Sequence, residues 1–371
     1  MVKKNRKIVI KVGTSTLTSG SVQLDKPRVL DIVRQTAALW MKNEKVCLVS
    51  SGAIAAGKEV LGFPQLQKTI PAKQMLSAVG QPRLMDLYRQ YFGIYGLNVA
   101  QILLSREDIS DRKRYLNARN TLSSLLDQNV IPIINENDTI ATDEIHIGDN
   151  DNLSAMVASL VDADLLIMLT DQEGVFNADP SQNKDAELIK SIDGHIIPDG
   201  VWEAAGGTKN GLGTGGMITK LEAAETARRS GTMVVIASGE SPDVVLRIAN
   251  GEKVGTRIMP IVDTLESRKR YMLAGVGKGN AVIVDRGASN SLLTGGSLLP
   301  VGIKRVKGDF DRGEIITVMD ENGDTVSLGL VNYSSEEIKK IMGNQSDQIE
   351  KELGFKIADE VIHHNNMVLQ K

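Results

Sequence analysis

Short apolar runs alternate with amphipathic stretches over the first 260 residues of the chain. Each run is bounded by turn-forming residues and therefore predicts a buried β-strand. The stretches between the runs repeat apolar residues at helical spacing, as at Val29, Val33, Ala37 and Trp40. The predicted strands are Lys7–Val12, Val46–Val49, Val99–Leu104, Val130–Ile134, Leu165–Leu169 and Met233–Ala237.

This alternation predicts an α/β fold with a mostly parallel central sheet flanked by helices. Further helices are predicted by Leu153, Val157 and Leu160, and by the segment from Met217 to Ala227. In such sheets a ligand binds beyond the carboxyl ends of the strands. The residues that follow each strand are therefore the candidates for chemistry.

The pattern changes near residue 262, where a polar segment precedes short apolar runs separated by glycine-containing turns. A short helical segment follows at Ser335–Met342. These features predict a small β-rich second domain. We expect a first domain over residues 1–261, a linker over 262–274, the β-rich domain over 275–356 and a polar tail over 357–371. The β runs are Ala281–Val284, Ile303–Val306, Ile315–Val318 and Val326–Leu330.

Composition excludes several classes of protein. A net charge of −3 over 371 residues gives no overall attraction to nucleic acid or anionic membrane. The single cysteine, Cys47, cannot form an intramolecular disulfide and favours a reducing compartment. No apolar stretch approaches the roughly 18 residues of a membrane span, and the run Ile8–Ile10 is too short for a secretion signal. We expect a cytoplasmic protein.

Two glycine-containing turns follow the first two strands. In Lys11-Val-Gly-Thr-Ser15, the backbone around Gly13 can bind an anion beside the Lys11 ammonium group. An exposed lysine and an ordinary turn are the alternative. In the run from Ser50 to Gly57, small residues lead into a helix whose free N–H groups favour an anion. Tight helix–sheet packing explains the same residues.

Two clusters of Asn and Asp, Asn135–Asp138 and Gly148–Asn152, bracket an alternating segment, Ile140–Ile147, which predicts a hairpin. Amide and carboxylate groups can bind the ammonium and carboxylate of an amino acid, a metal or a lysine. Turns and a helix cap near Asn152 need fewer of these residues. We therefore favour a functional role for both clusters.

A second glycine-rich loop, Gly213–Lys220, leads into a helix with a lysine in its first turn, which suits ATP phosphates. Thr170–Gly174 follows another apolar strand. The G-x-G-x-x-G pattern over Gly211–Gly216 is not preceded by a strand, so we reject a dinucleotide fingerprint. No Walker A pattern occurs. One cysteine and four scattered histidines suggest no zinc site, and no G-x-S-x-G hydrolase elbow occurs.

With these features the chain resembles the amino acid kinase superfamily and, within it, the glutamate 5-kinase family. The resemblance rests on IKVGTSTLT, SSGAIAAGKEVLG, INENDTI, IGDNDNLSA, LTDQEGVFNADP and GLGTGGMITK. The second domain resembles a PUA domain through SLLPVGIKRVKGDF and RGEII. The resemblance implies ATP-dependent phosphorylation of the glutamate side-chain carboxylate to L-glutamyl 5-phosphate, the first step of proline biosynthesis, with feedback inhibition by proline.

The resemblance also implies roles for individual residues. Lys11 and Lys220 would neutralise the transferring phosphoryl group, and Asp151 would orient both lysines. Glutamate binding falls to Ser51, Gly52, Asp138 and Asn150. ATP binding falls to Lys11, Thr170, Asp171, Thr214, Gly215, Gly216, Met217, Ile218, Thr219 and Lys220. No protein ligand to a metal is implied.

The implied cofactors and partners are ATP with Mg²⁺, L-glutamate, proline as inhibitor, a glutamyl-phosphate reductase, and other copies of the chain in a homotetramer or homodimer. Glutamate carboxylates ionise near pH 4.3, so the reaction needs no general base. Kinases for N-acetylglutamate, aspartate, carbamate or a nucleoside monophosphate remain alternatives, as does a structural scaffold.

RNA binding by the second domain is a further alternative, which its charge disfavours. Residues 278–356 hold ten basic and twelve acidic residues, although Lys304, Arg305 and Lys307 form a local basic spot. We expect that spot to be a solvated edge strand.

Overall fold

The computed structural model describes residues 5–67, 69–140, 150–180, 182–206, 216–263, 266–267, 272–273 and 275–370. Contacts divide the chain into two compact units. Met1–Ile109 and Ala118–Thr264 form the first, and Ser110–Asn117 and Leu265–Lys371 form the second. The sequence does not predict that Ser110–Asn117 joins the second unit. Among the described helices, none is long and apolar enough to cross a membrane.

The first unit is built on one large sheet. Its described strands are β1 (Lys7–Val12), β2 (Lys45–Ser50), β3 (Asn98–Leu104), β4 (Val130–Glu136), β5 (Leu165–Thr170), β6 (Ser191–Ile192), β7 (Met233–Ser238) and β8 (Thr256–Ile258). They lie in the order β3-β4-β2-β1-β5-β7-β8-β6. The pairs from β3 to β7 are parallel, whereas β8 runs antiparallel to β7. The predicted mostly parallel sheet is confirmed.

Helices connect these strands. They are α1 (Thr14–Thr18), α2 (Lys26–Met41), α3 (Ala53–Val60), α4 (Ile70–Gly93), α5 (Arg106–Ser110), α6 (Arg112–Asp127), α7 (Asn150–Val161), α8 (Asp199–Ala204), α9 (Met217–Arg229) and α10 (Val244–Ala249). The start of α2 shows why such segments fold: Asp25 accepts a hydrogen bond from the Arg28 N–H, and Pro27 suits the first turn.

The central strands are apolar because they are buried on both faces. All six residues of β5 are buried, and Ile8, Val9 and Ile10 of β1 are fully buried. Cys47 lies in β2 with an exposed fraction of 1%. Burial raises the pKa of its thiol to about 12, as expected for a packed side chain rather than a nucleophile.

Helices α3 and α4 approach each other more closely than side chains would permit. A Cβ atom added to Gly80 of α4 would lie 1.8 Å from the Ala53 carbonyl oxygen of α3. A Cβ atom added to Gly57 of α3 would lie 1.9 Å from the Leu76 carbonyl oxygen. Glycine is therefore required on both sides of this contact.

The second unit has its own sheet and core. Its described strands are β9 (Val276–Val284), β10 (Ile303–Lys307), β11 (Ile315–Met319), β12 (Thr325–Leu330) and β13 (Met367–Leu369), in the order β10-β9-β11-β12-β13. Its described helices after β9 are α11 (Arg286–Leu293), α12 (Ser335–Ile341) and α13 (Ile349–Leu353), with 3₁₀ turns at Pro300–Gly302, Ser346–Gln348 and His364–Asn366. Lys304, Arg305 and Lys307 are exposed on β10, which is an edge strand as predicted.

The structure differs from the prediction of a polar tail over residues 357–371. Val361 and Ile362 are fully buried in the core of the second unit, and Met367 and Val368 belong to β13. These apolar residues come in two short runs, Val361–Ile362 and Met367–Leu369, separated by His and Asn. Neither a strand nor a helix period is therefore visible in the sequence.

Two predictions lie outside the described residues. The hairpin expected over Ile140–Ile147 falls on the gap from 141 to 149, apart from its first residue. We also expect from the sequence that Gly206–Lys209 is a mobile loop, and this segment falls almost entirely on the gap from 207 to 215.

Candidate active site

The carboxyl ends of the central strands bring the candidate residues to one edge of the sheet. In the register of the sheet, Val12 of β1 pairs with Ser50 of β2 on one side and with Leu169 of β5 on the other. Lys11, Ser51 and Thr170 therefore lie close to this edge. β2 lies on one side of β1 and β5 on the other, and open α/β sheets bind ligands where the strand order reverses in this way.

Two lysines meet at one carboxylate. The Lys11 Nζ atom lies 2.5 Å from Asp151 Oδ1, and the Lys220 Nζ atom lies 3.3 Å from Asp151 Oδ2. Lys11 comes from β1, Asp151 from the first turn of α7, and Lys220 from the first turn of α9. The side chains of these residues are about nine-tenths buried, with exposed fractions between 7% and 12%.

Asp151 is held as an anion by its surroundings. Burial raises its pKa, but the charges of Lys11 and Lys220 and the hydrogen bond from Thr219 outweigh burial and leave the pKa below its usual value. The Thr219 hydroxyl lies 2.7 Å from Asp151 Oδ2, where it donates. The Lys220 ammonium group also donates to the Gly216 carbonyl oxygen, at 3.2 Å.

Gly13 follows β1 beside the Lys11 ammonium group. A Cβ atom at this position would lie 3.4 Å from Lys11 Nζ and 3.7 Å from the Leu169 carbonyl oxygen, both of which are ordinary van der Waals distances. The approach of a ligand to the backbone at Gly13 therefore stays a prediction.

The predicted nucleotide residues are described in part. Thr170, at the end of β5, is buried and donates from its hydroxyl to Asp171 Oδ1 at 2.9 Å. Gly216 has a φ of 97°, which favours glycine, and immediately precedes α9. Met217, Ile218 and Thr219 continue into the first turn of α9, and Ile218 is buried. Thr214 and Gly215 lie outside the described residues.

Asn150 is fixed by its amide nitrogen. Its Nδ2 atom donates to Ser51 Oγ at 2.8 Å and to Asn135 Oδ1 at 3.0 Å. Its Oδ1 atom is buried and has no hydrogen-bond partner among the described residues. A buried acceptor without a donor is unfavourable, and a ligand that supplies a donor would relieve it.

Asp138 also has one side-chain atom that is hydrogen-bonded and one that is buried without a partner among the described residues, and its side chain is a carboxylate. Its Oδ2 atom accepts a hydrogen bond from the Ser77 hydroxyl at 2.5 Å, whereas its Oδ1 atom is buried without a hydrogen-bond partner among the described residues. Burial raises the pKa of Asp138, and the bond from Ser77 opposes that rise. An ammonium group would satisfy the second oxygen.

Gly52 shapes the turn between β2 and α3. Its φ of 99° lies in the region that favours glycine, and a Cβ atom there would lie 3.1 Å from Leu17 Cδ1. The residue is therefore needed for the turn that carries Ser51 into the site.

Comparisons with known proteins distinguish the hypothesis of a glutamate 5-kinase from kinases for other acceptors and from a structural scaffold. The profile of the amino acid kinase family matches residues 6–238, and that of the PUA domain matches residues 280–353. The glutamate 5-kinase of Photobacterium profundum is 50% identical over 363 residues, which cover 98% of this chain and 96% of that protein. The glutamate 5-kinase of Shewanella oneidensis is 51% identical over 365 residues, which cover 98% of each.

The chain belongs to the amino acid kinase family, among the glutamate 5-kinases. The resemblance seen in the sequence is thereby confirmed, as is the second domain of PUA type. Carbamate kinase from Giardia lamblia bound to AMP-PNP shares the fold, with a TM-score of 0.50 and 18% identity, covering 70% of this chain and 99% of that one.

Two polar residues of this amino acid kinase, Ser77 and Gln81, are not found by reading the sequence. Ser77 and Gln81 lie on buried positions of α4, and Asn135 links Gln81 to Asn150. The sequence signal for these two residues is weak. It consists of two polar residues at helical spacing on a helix face that also contains Leu76 and Leu84. A buried polar pair on one helix face is the pattern that would have revealed them.

The described part of this amino acid kinase offers no cluster of three or more His, Cys, Asp or Glu side chains to hold a metal ion. In kinase sites Mg²⁺ keeps several waters and binds chiefly to phosphate oxygens. Asp151, the buried carboxylate nearest the lysines, is already paired with both of them.

Proposed function

We propose that this protein transfers the γ-phosphoryl group of ATP to the side-chain carboxylate of free L-glutamate, which forms L-glutamyl 5-phosphate in the first step of proline biosynthesis. The observation that carries the proposal is the convergence of Lys11 and Lys220 on Asp151. The family to which the chain belongs, and its relatives of about half-identical sequence, support the choice of acceptor.

The reaction requires an anionic carboxylate to approach an anionic phosphate. The acceptor is already ionised at neutral pH, because its reference pKa is near 4.3. No proton has to be removed, so catalysis rests on position and on fixed positive charge. Two ammonium groups paired with one carboxylate retain a net positive charge, which suits the transferring phosphoryl group and its bridging oxygen.

Asp151 keeps the two lysines together before substrate arrives. Its carboxylate holds both Nζ atoms, so that the chain does not need to gather two long side chains during the reaction. We assign Asp151 an orienting role, Lys11 and Lys220 catalytic roles, and Mg²⁺ a place in the ATP substrate, where it neutralises phosphate charge.

The substrate is recognised by two buried oxygen atoms that have no hydrogen-bond donor among the described residues. The α-ammonium group of glutamate can donate to Asp138 Oδ1 and Asn150 Oδ1, both of which are buried and without partners among the described residues. Ser51, whose hydroxyl accepts from Asn150, and the turn at Gly52 complete the glutamate site. Thr170, Asp171 and the segment Thr214–Lys220 bind ATP.

Proline is proposed as a feedback inhibitor. It carries an α-carboxylate, as glutamate does, and a secondary ammonium group with two N–H donors, so it can compete for Asp138 and Asn150. We further propose a homotetramer or homodimer, transfer of the labile acyl phosphate to a glutamyl-phosphate reductase, and a cytoplasmic location, which the single cysteine favours.

The test is an acceptor panel. ADP release is measured with glutamate, N-acetylglutamate, aspartate, carbamate and uridine monophosphate, each with Mg-ATP, and the acyl phosphate is trapped as its hydroxamate. We expect glutamate to give the highest kcat/KM and a hydroxamate product, and we expect added proline to reduce its turnover. A higher kcat/KM for another acceptor would replace the proposed substrate.

A further inference from the structure

Helix α4 carries two buried polar side chains one turn apart. Ser77 and Gln81 are four residues apart and therefore lie on the same face of the helix. Ser77 is 3% exposed and Gln81 is 8% exposed. Polar groups on a buried face cost free energy unless they are hydrogen-bonded. Ser77 bonds directly to Asp138 of the proposed glutamate site, whereas Gln81 reaches Asn150 of that site through Asn135.

Ser77 bonds to a distant carboxylate rather than to its own helix. A buried hydroxyl in a helix commonly donates to the carbonyl four residues earlier, as Thr36 does to Ile32 in α2. The Ser77 hydroxyl instead donates to Asp138 Oδ2 at 2.5 Å, 61 residues along the chain. A bond to a carbonyl of its own helix would also have satisfied the Ser77 hydroxyl, so the serine itself does not require Asp138 as its partner.

The bond fixes one oxygen of Asp138 and leaves the other available. A carboxylate held at Oδ2 cannot turn freely about its χ2 angle, so the position of Oδ1 is fixed as well. Oδ1 is buried and has no hydrogen-bond partner among the described residues. Because a charge-assisted bond is short and directional, a small rotation of this carboxylate would weaken its contact with a ligand.

Gln81 acts on the second acceptor in a parallel way. Its Oε1 atom accepts from Asn135 Nδ2 at 2.8 Å, and Asn135 Oδ1 accepts from Asn150 Nδ2 at 3.0 Å. In this series of hydrogen bonds the Asn150 amide donates through Nδ2, and its Oδ1 atom has no donor among the described residues. Both acceptors without donors are thus held from one face of α4.

We propose that Ser77 is a positioning residue for substrate binding, which holds Asp138 so that its Oδ1 atom accepts a hydrogen bond from the α-ammonium group of glutamate. Gln81 supports Asn150 in the same task through Asn135. The inference rests on the proposed function, because it takes Asp138 as a glutamate-binding residue. It makes α4, which supplies none of the catalytic lysines, a determinant of substrate affinity.

Steady-state kinetics of Ser77→Ala test the proposal. We expect the KM for glutamate to rise about tenfold, the size of effect typical for a lost hydrogen bond to a charged group, while kcat and the KM for ATP stay within about twofold. Ser77→Cys, which keeps the volume but is a weak donor, should raise KM to a smaller extent. Ser327→Ala, at a fully buried serine of the second unit, is the matched control and should leave KM unchanged.

A double-mutant cycle separates positioning from packing. In an Asp138→Ala background, Ser77→Ala should have no further effect on kcat/KM for glutamate, because the carboxylate that it positions is gone. An equal loss in both backgrounds, or an unchanged KM in the single variants, would overturn the inference. If the wild-type protein lacks glutamate-dependent turnover, the proposed function itself fails; normal turnover with an unchanged KM in Ser77→Ala defeats this inference alone.

Discussion

At the scale of single residues, the site depends on how the charges of two buried carboxylates, Asp151 and Asp138, are balanced by their surroundings. One buried carboxylate holds two ammonium groups, and its lowered pKa shows that the pairing outweighs burial. A second carboxylate, Asp138, has a raised pKa because its burial outweighs the hydrogen bond from Ser77. The first charge set suits a phosphate, and the second suits an ammonium ion.

Loss of either lysine should remove catalysis. We expect Lys11→Ala and Lys220→Ala to lower kcat by on the order of 10²–10³, because each removes a fixed positive charge from the transition state. The measurement is ADP release at saturating glutamate and Mg-ATP, with circular dichroism to check the fold. Lys58→Ala, at an exposed lysine of α3, is the control. Near-normal turnover in either site variant would refute the role of that lysine.

Loss of Asp138 should affect affinity more than turnover. We expect Asp138→Ala to raise the KM for glutamate by at least tenfold, since a charge-assisted contact with the substrate is lost. The KM for ATP should change little. Asp86→Ala removes a carboxylate that pairs with Arg89 on the surface of α4 and serves as the control. An unchanged KM for glutamate would place Asp138 outside the substrate pocket.

At the scale of elements, the contact between α3 and α4 sets the position of the polar face of α4. The two helices meet at Gly57 and Gly80, backbone against backbone. Ser77 lies three residues before Gly80, so any shift of α4 would also move the hydroxyl that holds Asp138. The packing of this helix pair is therefore coupled to the position of Asp138, which we propose binds the substrate.

Substitution at the helix contact should destabilise the first unit. A methyl group at Gly80 would overlap the Ala53 carbonyl oxygen, and we expect Gly80→Ala to reduce the free energy of unfolding by about 1–3 kcal/mol or more. Gly93→Ala is the matched control on the same helix, because no atom lies within 4 Å of a Cβ there. Thermal unfolding followed by circular dichroism measures both. Equal melting temperatures would show that the contact can relax.

Strands were predictable from the sequence where burial on both faces leaves a plain apolar run. β5 reads Leu-Leu-Ile-Met-Leu-Thr and all of it is buried, so its pattern has one interpretation. α7 begins at Asn150, two residues before the predicted start, because Asn and Asp suit both a cap and a first turn. The polar face of α4 was not predictable, since a hydrogen bond such as Ser77 to Asp138 joins residues far apart in the chain.

At the scale of the whole molecule, each unit has its own sheet and its own core. The second core includes residues from the far end of the chain, Val361 and Ile362. Its final strand, β13, pairs antiparallel with β12 at the sheet edge. Family motifs name candidate site residues, so these could be proposed from the sequence, whereas this closing strand has three residues and no visible period.

A single substitution should show that the end of the chain belongs to the second core. We expect Ile362→Ala to lower the free energy of unfolding by about 2–4 kcal/mol, as for other buried aliphatic truncations. Leu299→Ala, in the same unit but 39% exposed, should cost much less. Hydrogen exchange of β12 followed by mass spectrometry measures the local effect. Exchange rates that do not differ between the two variants would contradict the assignment.

The position of Cys47 has a practical consequence for following this enzyme at work. It is the single cysteine of the chain, it is 1% exposed, and its thiol has a pKa of about 12. Reagents such as maleimides attack thiolates, so at neutral pH they have no native target here. A cysteine introduced on the surface, for example at Lys58, would therefore carry a fluorescent label at one defined place without removal of the native residue.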